Sequence, residues 1–383
     1  MTVPVNNTQE KTIFNRYHIE DLQQIAAEFN VPLLDVVGIL LNVNGAAADP
    51  TIKRIRGKIK LNNSDMGIKN DEWFYFGLAN RTRSHFQLTD EHLYFVSEDG
   101  AERTDLGNSK EVENDDCASS YFRKNNTVLT MNTNKRSVCV GCKFCPNTLQ
   151  LNAAEHLLTS KEEIKTYLLG LANKLGHSTL GFLEEMAHCT GCYGSEEKCL
   201  NAIMTILEAA RELGFRGRFH YIGSEIKSRE AMTKIRENCE EFWITFSIEC
   251  FTKRDQILKN LKAENALGDY KLYMKRAWEC DCNVSYIYVL GLDDLASTVK
   301  HMNEFAGYTT RFPIVNIFQP HEEAHYALMD PAATAGLGYY LNVRKELERI
   351  YKNDPHCKPQ SWNCYRPLWY TQYQGKPLNC IRM

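Results

Sequence analysis

Three cysteines, Cys139, Cys142 and Cys145, stand at C-x2-C-x2-C spacing within one heptapeptide, Cys139-Val140-Gly141-Cys142-Lys143-Phe144-Cys145, and Pro146 follows. Each two-residue spacer permits a tight turn, and Gly141 and Pro146 favour such turns, so three thiols can converge on one small object. Thiolates are soft ligands, suited to zinc or to an iron–sulfur cluster. Structural zinc normally takes four Cys or His ligands, usually as two separated C-x2-C pairs; no second pair lies close to this one in sequence. Three cysteines on a four-iron cluster leave one iron open, and a cofactor can bind at that vacancy.

The chain holds 14 cysteines in 383 residues. In a large chain without export signals, that number points to metal binding or catalysis rather than to a disulfide framework. Cys117, Cys239, Cys250 and Cys280 are scattered and read as small buried apolar residues. Cys189, Cys192 and Cys199 lie closer together, but Cys199 falls inside a helical pattern, which favours a core or pocket-lining role over a second metal. Cys357, Cys364 and Cys380 sit in an aromatic tail and could hold an auxiliary cluster, although their loose spacing argues against it.

The elements that must position these residues change character near residue 125. Residues 1–125 read as a separate α+β domain or cap, with a helix over Ile19–Phe29 and hairpin-like segments at Glu72–Leu78, Ser84–Leu88 and His92–Ser97. Residues 105–118 are polar and acidic and read as a linker or surface loop. From Thr127 strand and helix patterns alternate. Strands are expected at Thr127–Met131, Thr179–Met186, Phe219–Ile222, Trp243–Ile248, Ser285–Leu290 and Ile314–Phe318. Helices are expected from Ser160, which forms a capping box with Glu163, and at Ser195–Leu213, Ser228–Glu237, Lys253–Lys262, Tyr270–Trp278, Leu295–Phe305 and Leu337–Tyr351.

Such alternation implies an α/β fold with a parallel sheet, because each crossover needs a helix to return the chain. Six units can make an open doubly wound sheet or a partial (βα)6 TIM-type barrel. In both, ligands sit at the C-terminal ends of the strands. The expected organisation is 1–125 as the N-terminal extension, 126–340 as the partial barrel, and 341–383 as a C-terminal helix and aromatic, cysteine-containing tail closing it.

Charge excludes some partners. Lys and Arg total 45 against 48 Asp and Glu, a net −3, so no basic excess favours a nucleic-acid partner. No apolar run approaches the ~20 residues that span a bilayer. The opening residues lack a signal peptide's charged start and apolar core, so a cytoplasmic location is expected.

The Cys142-x-Phe144-Cys145 half, on a loop directly after the first strand of a (βα)6 pattern, resembles the cluster loop of the radical S-adenosylmethionine superfamily. The family pattern is C-x3-C-x2-C with an aromatic residue before the last cysteine; this chain departs from it in the first gap, which is two residues long. The resemblance implies that Cys139, Cys142 and Cys145 hold a [4Fe–4S] cluster whose open iron chelates S-adenosylmethionine. It further implies reductive cleavage of a carbon–sulfur bond, usually giving a 5′-deoxyadenosyl radical, with a flavodoxin- or ferredoxin-type protein as reductant. Thr190, Gly191 and Cys192 occupy the place of the family's glycine-rich motif. Ser247 and Glu249 fall where relatives place polar residues toward the ribose or methionine carboxylate. Gly291, in Gly291-Leu292-Asp293-Asp294, and Gln319, in Phe318-Gln319-Pro320-His321, match segments near adenine.

Independently of any resemblance, Glu249 alternates with Ser247 and should point toward the barrel interior, where a carboxylate must be paired. His188 reads as a satisfied core histidine. In the tail, Trp362, Arg366 and Trp369 could face a small polar or carboxylate-bearing substrate. A small amino-acid-like or metabolite substrate is the first expectation, with a peptide or an RNA as alternatives. A zinc-stabilised binding protein without catalysis is the rival from another class.

Overall fold

A computed structural model of the chain describes residues 12–14, 16–48, 55–59, 61–66, 68–69, 74–79, 84–114, 120–123, 126–131, 141–145, 158–189, 193–354, 356–357, 372–373 and 376–377. Helix α1 (Ile19–Glu28) starts where the Asp21 carboxylate accepts the His18 N–H at 2.8 Å. Helix α2 (Leu33–Asn44), LLDVVGILLNVN, is apolar on all sides and buried from Leu34 to Asn44, as a helix without a polar face must be. Its asparagines turn back on the backbone, Asn42 donating to the Gly38 carbonyl and Asn44 to that of Leu40. Among the described residues no single helix is long and apolar enough to cross a membrane; α1 and α2 reach that length only together, across a 118° bend.

The strands that follow are β1 (Ala46–Ala47), β2 (Ile55–Ile59), β3 (Asn62–Asn63), β4 (Ile68–Lys69), β5 (Phe74–Ala79), β6 (Phe86–Thr89), β7 (His92–Val96) and β8 (Arg103–Asn114). Six of them close a small barrel in the order β1-β5-β2-β8-β7-β6, with β3 and β4 as a separate pair. Phe76, Phe86, Leu93, Phe95 and Leu106 are fully buried. The expected linker at 105–118 is therefore strand as far as Asn114. Its polar sequence hides this because β8 is held by ladders to β7 and β2 on both sides, and only Leu106 of its described side chains is buried.

Strand β9 (Ser120–Arg123) lies antiparallel to β10 (Val128–Met131). Then the alternation begins: α3 (Lys161–Lys174), β11 (Glu185–Cys189), α4 (Glu196–Glu212), β12 (Arg218–Gly223), α5 (Arg229–Arg236) and β13 (Phe242–Glu249). It continues through α6 (Arg254–Ile257), α7 (Asn260–Ala263), α8 (Leu267–Glu279), β14 (Asn283–Leu290), α9 (Leu295–Ala306) and β15 (Ile314–Ile317). Helices α10 (Glu323–Tyr326), α11 (Pro331–Ala335) and α12 (Leu337–Tyr351) follow, then the short pair β16 (Gln372–Tyr373) and β17 (Lys376–Pro377).

Strands β10 to β15 are all parallel and adjacent in chain order, so the fold is the expected α/β partial barrel, six parallel strands in an open, curled sheet. Every residue of β13 is buried, as happens when both faces of a parallel sheet are covered. The Ser160–Glu163 capping box is present, with the Ser160 Oγ accepting the Glu163 N–H at 3.2 Å. The second strand starts at Glu185 rather than Thr179, because Leu180 and Leu183 fill the core from a turn: Leu180 N–H donates to the Leu213 carbonyl and Leu183 N–H to that of Leu180.

The sheet's β15 edge meets α2, and α2 also meets α12, where the Asp35 carboxylate and the Arg344 guanidinium pair at 2.7 Å with both side chains buried. At the N-terminal ends of the strands a second polar group is sealed in. Glu185 receives Arg218 at 2.6 Å and His220 Nδ1 at 3.0 Å, and His220 Nε2 meets the Thr245 hydroxyl at 2.8 Å. Burial works against the Glu185 carboxylate, but the bond from His220 and the Arg218 and Arg311 charges outweigh it and lower its pKa. Burial lowers that of His220. A neutral imidazole between a carboxylate and a hydroxyl satisfies all three groups.

His188 on β11 is fully buried, and burial lowers its pKa from 6.5 to about 3. The unfolded chain takes up that proton below pH 6.5 while the folded protein does not until about pH 3. Within that window the unfolded state binds more protons, so stability falls as pH falls, by about 1.4 kcal/mol per pH unit for this group. Urea midpoints measured between pH 7 and 4 are expected to drop less steeply in His188→Gln than in the wild type; equal slopes would contradict this.

Candidate active site at the C-terminal ends of the strands

The cysteine loop leaves the C-terminal end of β10. Cys142 and Cys145 fall within the described residues and Cys139 outside them. The Cys145 N–H donates to the Cys142 carbonyl at 3.1 Å, a tight turn joining the two. Cys142 is buried and Cys145 half-buried. The segment after β13 lies against this loop: Lys143 N–H donates to the Ile257 carbonyl at 2.8 Å, and Lys259 N–H to Cys142 Sγ at 3.5 Å.

Glu249 ends β13 with φ +69, an unusual conformation for a residue other than glycine, and one found at functional sites more often than elsewhere. A bulge between Ser247 and Glu249 breaks the alternation, so the period of two does not set the direction of Glu249; its partner does. The carboxylate pairs with Lys262 Nζ at 2.8 Å, and both side chains are nearly buried. Burial disfavours the Lys262 ammonium, yet the charge of the Glu249 carboxylate, with Cys142 also close by, outweighs it and holds the lysine well above its usual value. Ser247 is buried, and its carbonyl accepts from Ser224 Oγ and Tyr270 OH at 3.4 and 3.3 Å. Beside it, burial pushes the Cys250 thiol up.

Two buried residues fix this segment. Arg254 donates to the carbonyls of Ile248, Cys250 and Lys262 at 2.6, 2.9 and 2.9 Å. Asp293, fully buried after β14, accepts from Phe251 N–H, Thr252 N–H, Thr252 Oγ and Tyr288 OH. Gly291 has φ +113, a conformation that favours glycine, and a Cβ there would come 3.3 Å from Tyr340 OH, a tight approach. Gln319, after β15, donates through Nε2 to the Leu78 carbonyl of the small barrel at 3.0 Å; among the described residues its buried Oε1 has no hydrogen-bond partner.

Of the sequence-derived site residues, then, Ser247, Glu249, Gly291 and Gln319 lie on or just beyond the C-terminal ends of β13, β14 and β15, and Cys142 and Cys145 lie in the loop held against the segment after β13. Cys139, Thr190, Gly191, Cys192, Trp362, Arg366 and Trp369 lie outside the described residues, as do Cys117, Cys364 and Cys380. Cys357 and Cys199 are buried, while Cys189, Cys239 and Cys280 are half-buried. Lys262, Arg254 and Asp293 were not singled out from sequence. Lys262 ends a stretch that reads as a helix, and only the double acid Asp293-Asp294 after a strand offered a signal.

No family model matches the sequence, and no curated protein matches it. Among solved structures it is similar to the [FeFe]-hydrogenase maturase HydG (14% identity, TM-score 0.40, 55% of this chain and 46% of that one). HydG from Carboxydothermus hydrogenoformans gives 16%, 0.41, 60% and 52%. Coproporphyrinogen III oxidase HemN from Escherichia coli, described as a radical SAM enzyme, gives 13%, 0.39, 58% and 51%. The chain spans about half the length of each of these proteins.

Proposed function

We propose that this chain is an iron–sulfur enzyme that cleaves S-adenosylmethionine reductively and uses the resulting carbon radical on a small amino-acid-like metabolite. The observation that carries the reading is the Cys142–Cys145 turn at the top of a six-stranded parallel sheet, with a main-chain N–H donated to Cys142 Sγ and the Lys262 ammonium close by. That surrounding suits a sulfur bearing negative charge, as a cluster ligand does.

Cys139, Cys142 and Cys145 would hold the cluster, which when bound supplies the electron for carbon–sulfur cleavage; a flavodoxin- or ferredoxin-type protein would deliver that electron. The chain's part is orientation and exclusion of water. Glu249 and Lys262 set a carboxylate beside an ammonium, a pairing complementary to the amino and carboxylate groups of a methionine moiety. Gln319 Oε1, buried with an acceptor to spare, suits a donor such as the adenine amine.

Glu249→Gln is expected to weaken S-adenosylmethionine binding roughly 10- to 100-fold, the range for losing one hydrogen bond to a charged group, with iron content unchanged. Unaltered affinity by calorimetry removes Glu249 from the site. The reading as a whole is tested by mass spectrometry of what the reduced, reconstituted enzyme makes from S-adenosylmethionine. It predicts 5′-deoxyadenosine and methionine; an unconsumed cofactor overturns it.

A further inference from the structure

The stretch Lys253–Lys262 reads as one helix, yet it is broken into α6 and α7 at Leu258, whose φ −90 and ψ 152 are extended. The break turns the Lys259 N–H out of the helical ladder and onto Cys142 Sγ at 3.5 Å. Three further features keep the two segments together. Lys143 N–H takes the Ile257 carbonyl at 2.8 Å. Gly141, with φ +115, lies so close that an added Cβ would stand 2.9 Å from Lys259 Cβ. Arg254, buried, holds both ends of the broken stretch through the carbonyls of Ile248, Cys250 and Lys262.

We infer that this break is a potential-setting device: the Lys259 main-chain N–H positions the Cys142 sulfur and raises the reduction potential of the cluster that this sulfur ligates. The inference rests on the cluster reading given above. A hydrogen bond to a ligating sulfur stabilises the more electron-rich, reduced state, so donors at sulfur move the potential upward. Lys259 acts through Cys142 and is a positioning residue.

Lys259→Pro tests it. Proline removes this N–H and no other, and it requires the preceding residue to be extended, as Leu258 already is. Lys259→Ala removes the ammonium and keeps the N–H. Wild type and both variants are reconstituted without air, iron is counted, and midpoint potentials are read by EPR-monitored titration. The expected result is equal iron in all three, a more negative potential in Lys259→Pro, and the wild-type potential in Lys259→Ala. Equal potentials in the two variants overturn the inference while leaving the cluster reading intact; a wild type that takes up no cluster overturns both. Should Lys259→Pro fail to fold, Gly141→Ala decides. It keeps every N–H but must part the two segments, so its potential is expected to fall as well, and an unchanged potential with full iron overturns the inference.

Discussion

If the chain works as proposed, replacing Cys139, Cys142 and Cys145 together with alanine is expected to strip it of iron and to end its consumption of S-adenosylmethionine. Cys142→Ala alone is expected to do most of this, because its sulfur lies in the clasp between the cysteine loop and the segment after β13. The fold should survive, since the sheet is built from strands β10 to β15 and the cysteines lie beyond the first of them. Far-UV circular dichroism of the variants should therefore match that of the parent. A triple variant that still makes 5′-deoxyadenosine would refute the assignment of these thiols.

Asp293→Ala is expected to destabilise the fold clearly. The carboxylate is fully buried and satisfies two main-chain N–H groups and two hydroxyls that belong to β14 and to the turn after β13. Alanine leaves the buried Phe251 N–H without its acceptor, at roughly 1–3 kcal/mol, while the exposed Thr252 groups can turn to water and Tyr288 OH keeps the Thr298 hydroxyl at 2.9 Å, so the total is about 2–4 kcal/mol. The effect also reaches function, because Phe251 and Thr252 lead into Arg254 and the segment that lies on the cysteine loop. Reconstituted Asp293→Ala should hold less iron than Asp293→Asn, which keeps one acceptor oxygen. A loss below about 1 kcal/mol by urea denaturation would contradict the role given to this residue.

What the sequence discloses follows what is local. The capping box at Ser160 and Glu163 is a contact over three residues, and both halves form as their types require. The six strand–helix units rest on periodicity, which is also local, and they yield the parallel sheet in chain order. Strand β8 escaped because ladder bonds on both sides, rather than apolar alternation, hold it in the small barrel. The break at Leu258 escaped for a similar reason: what opposes helix continuation is the pairing of Ile257 with Lys143 and of Lys259 with Cys142, more than a hundred residues away in sequence. Glu249 was identifiable as a carboxylate on a core strand, but its partner was not. Lys262 becomes a buried cation only when the chain folds it beside Glu249 and Cys142.

The most direct test is EPR of the anaerobically reconstituted, reduced protein, recorded before and after adding S-adenosylmethionine. About four irons per chain, and a spectrum that changes when the cofactor binds at the open iron, is the predicted result. A colourless protein holding stoichiometric zinc, or a cluster whose spectrum ignores the cofactor, would contradict it.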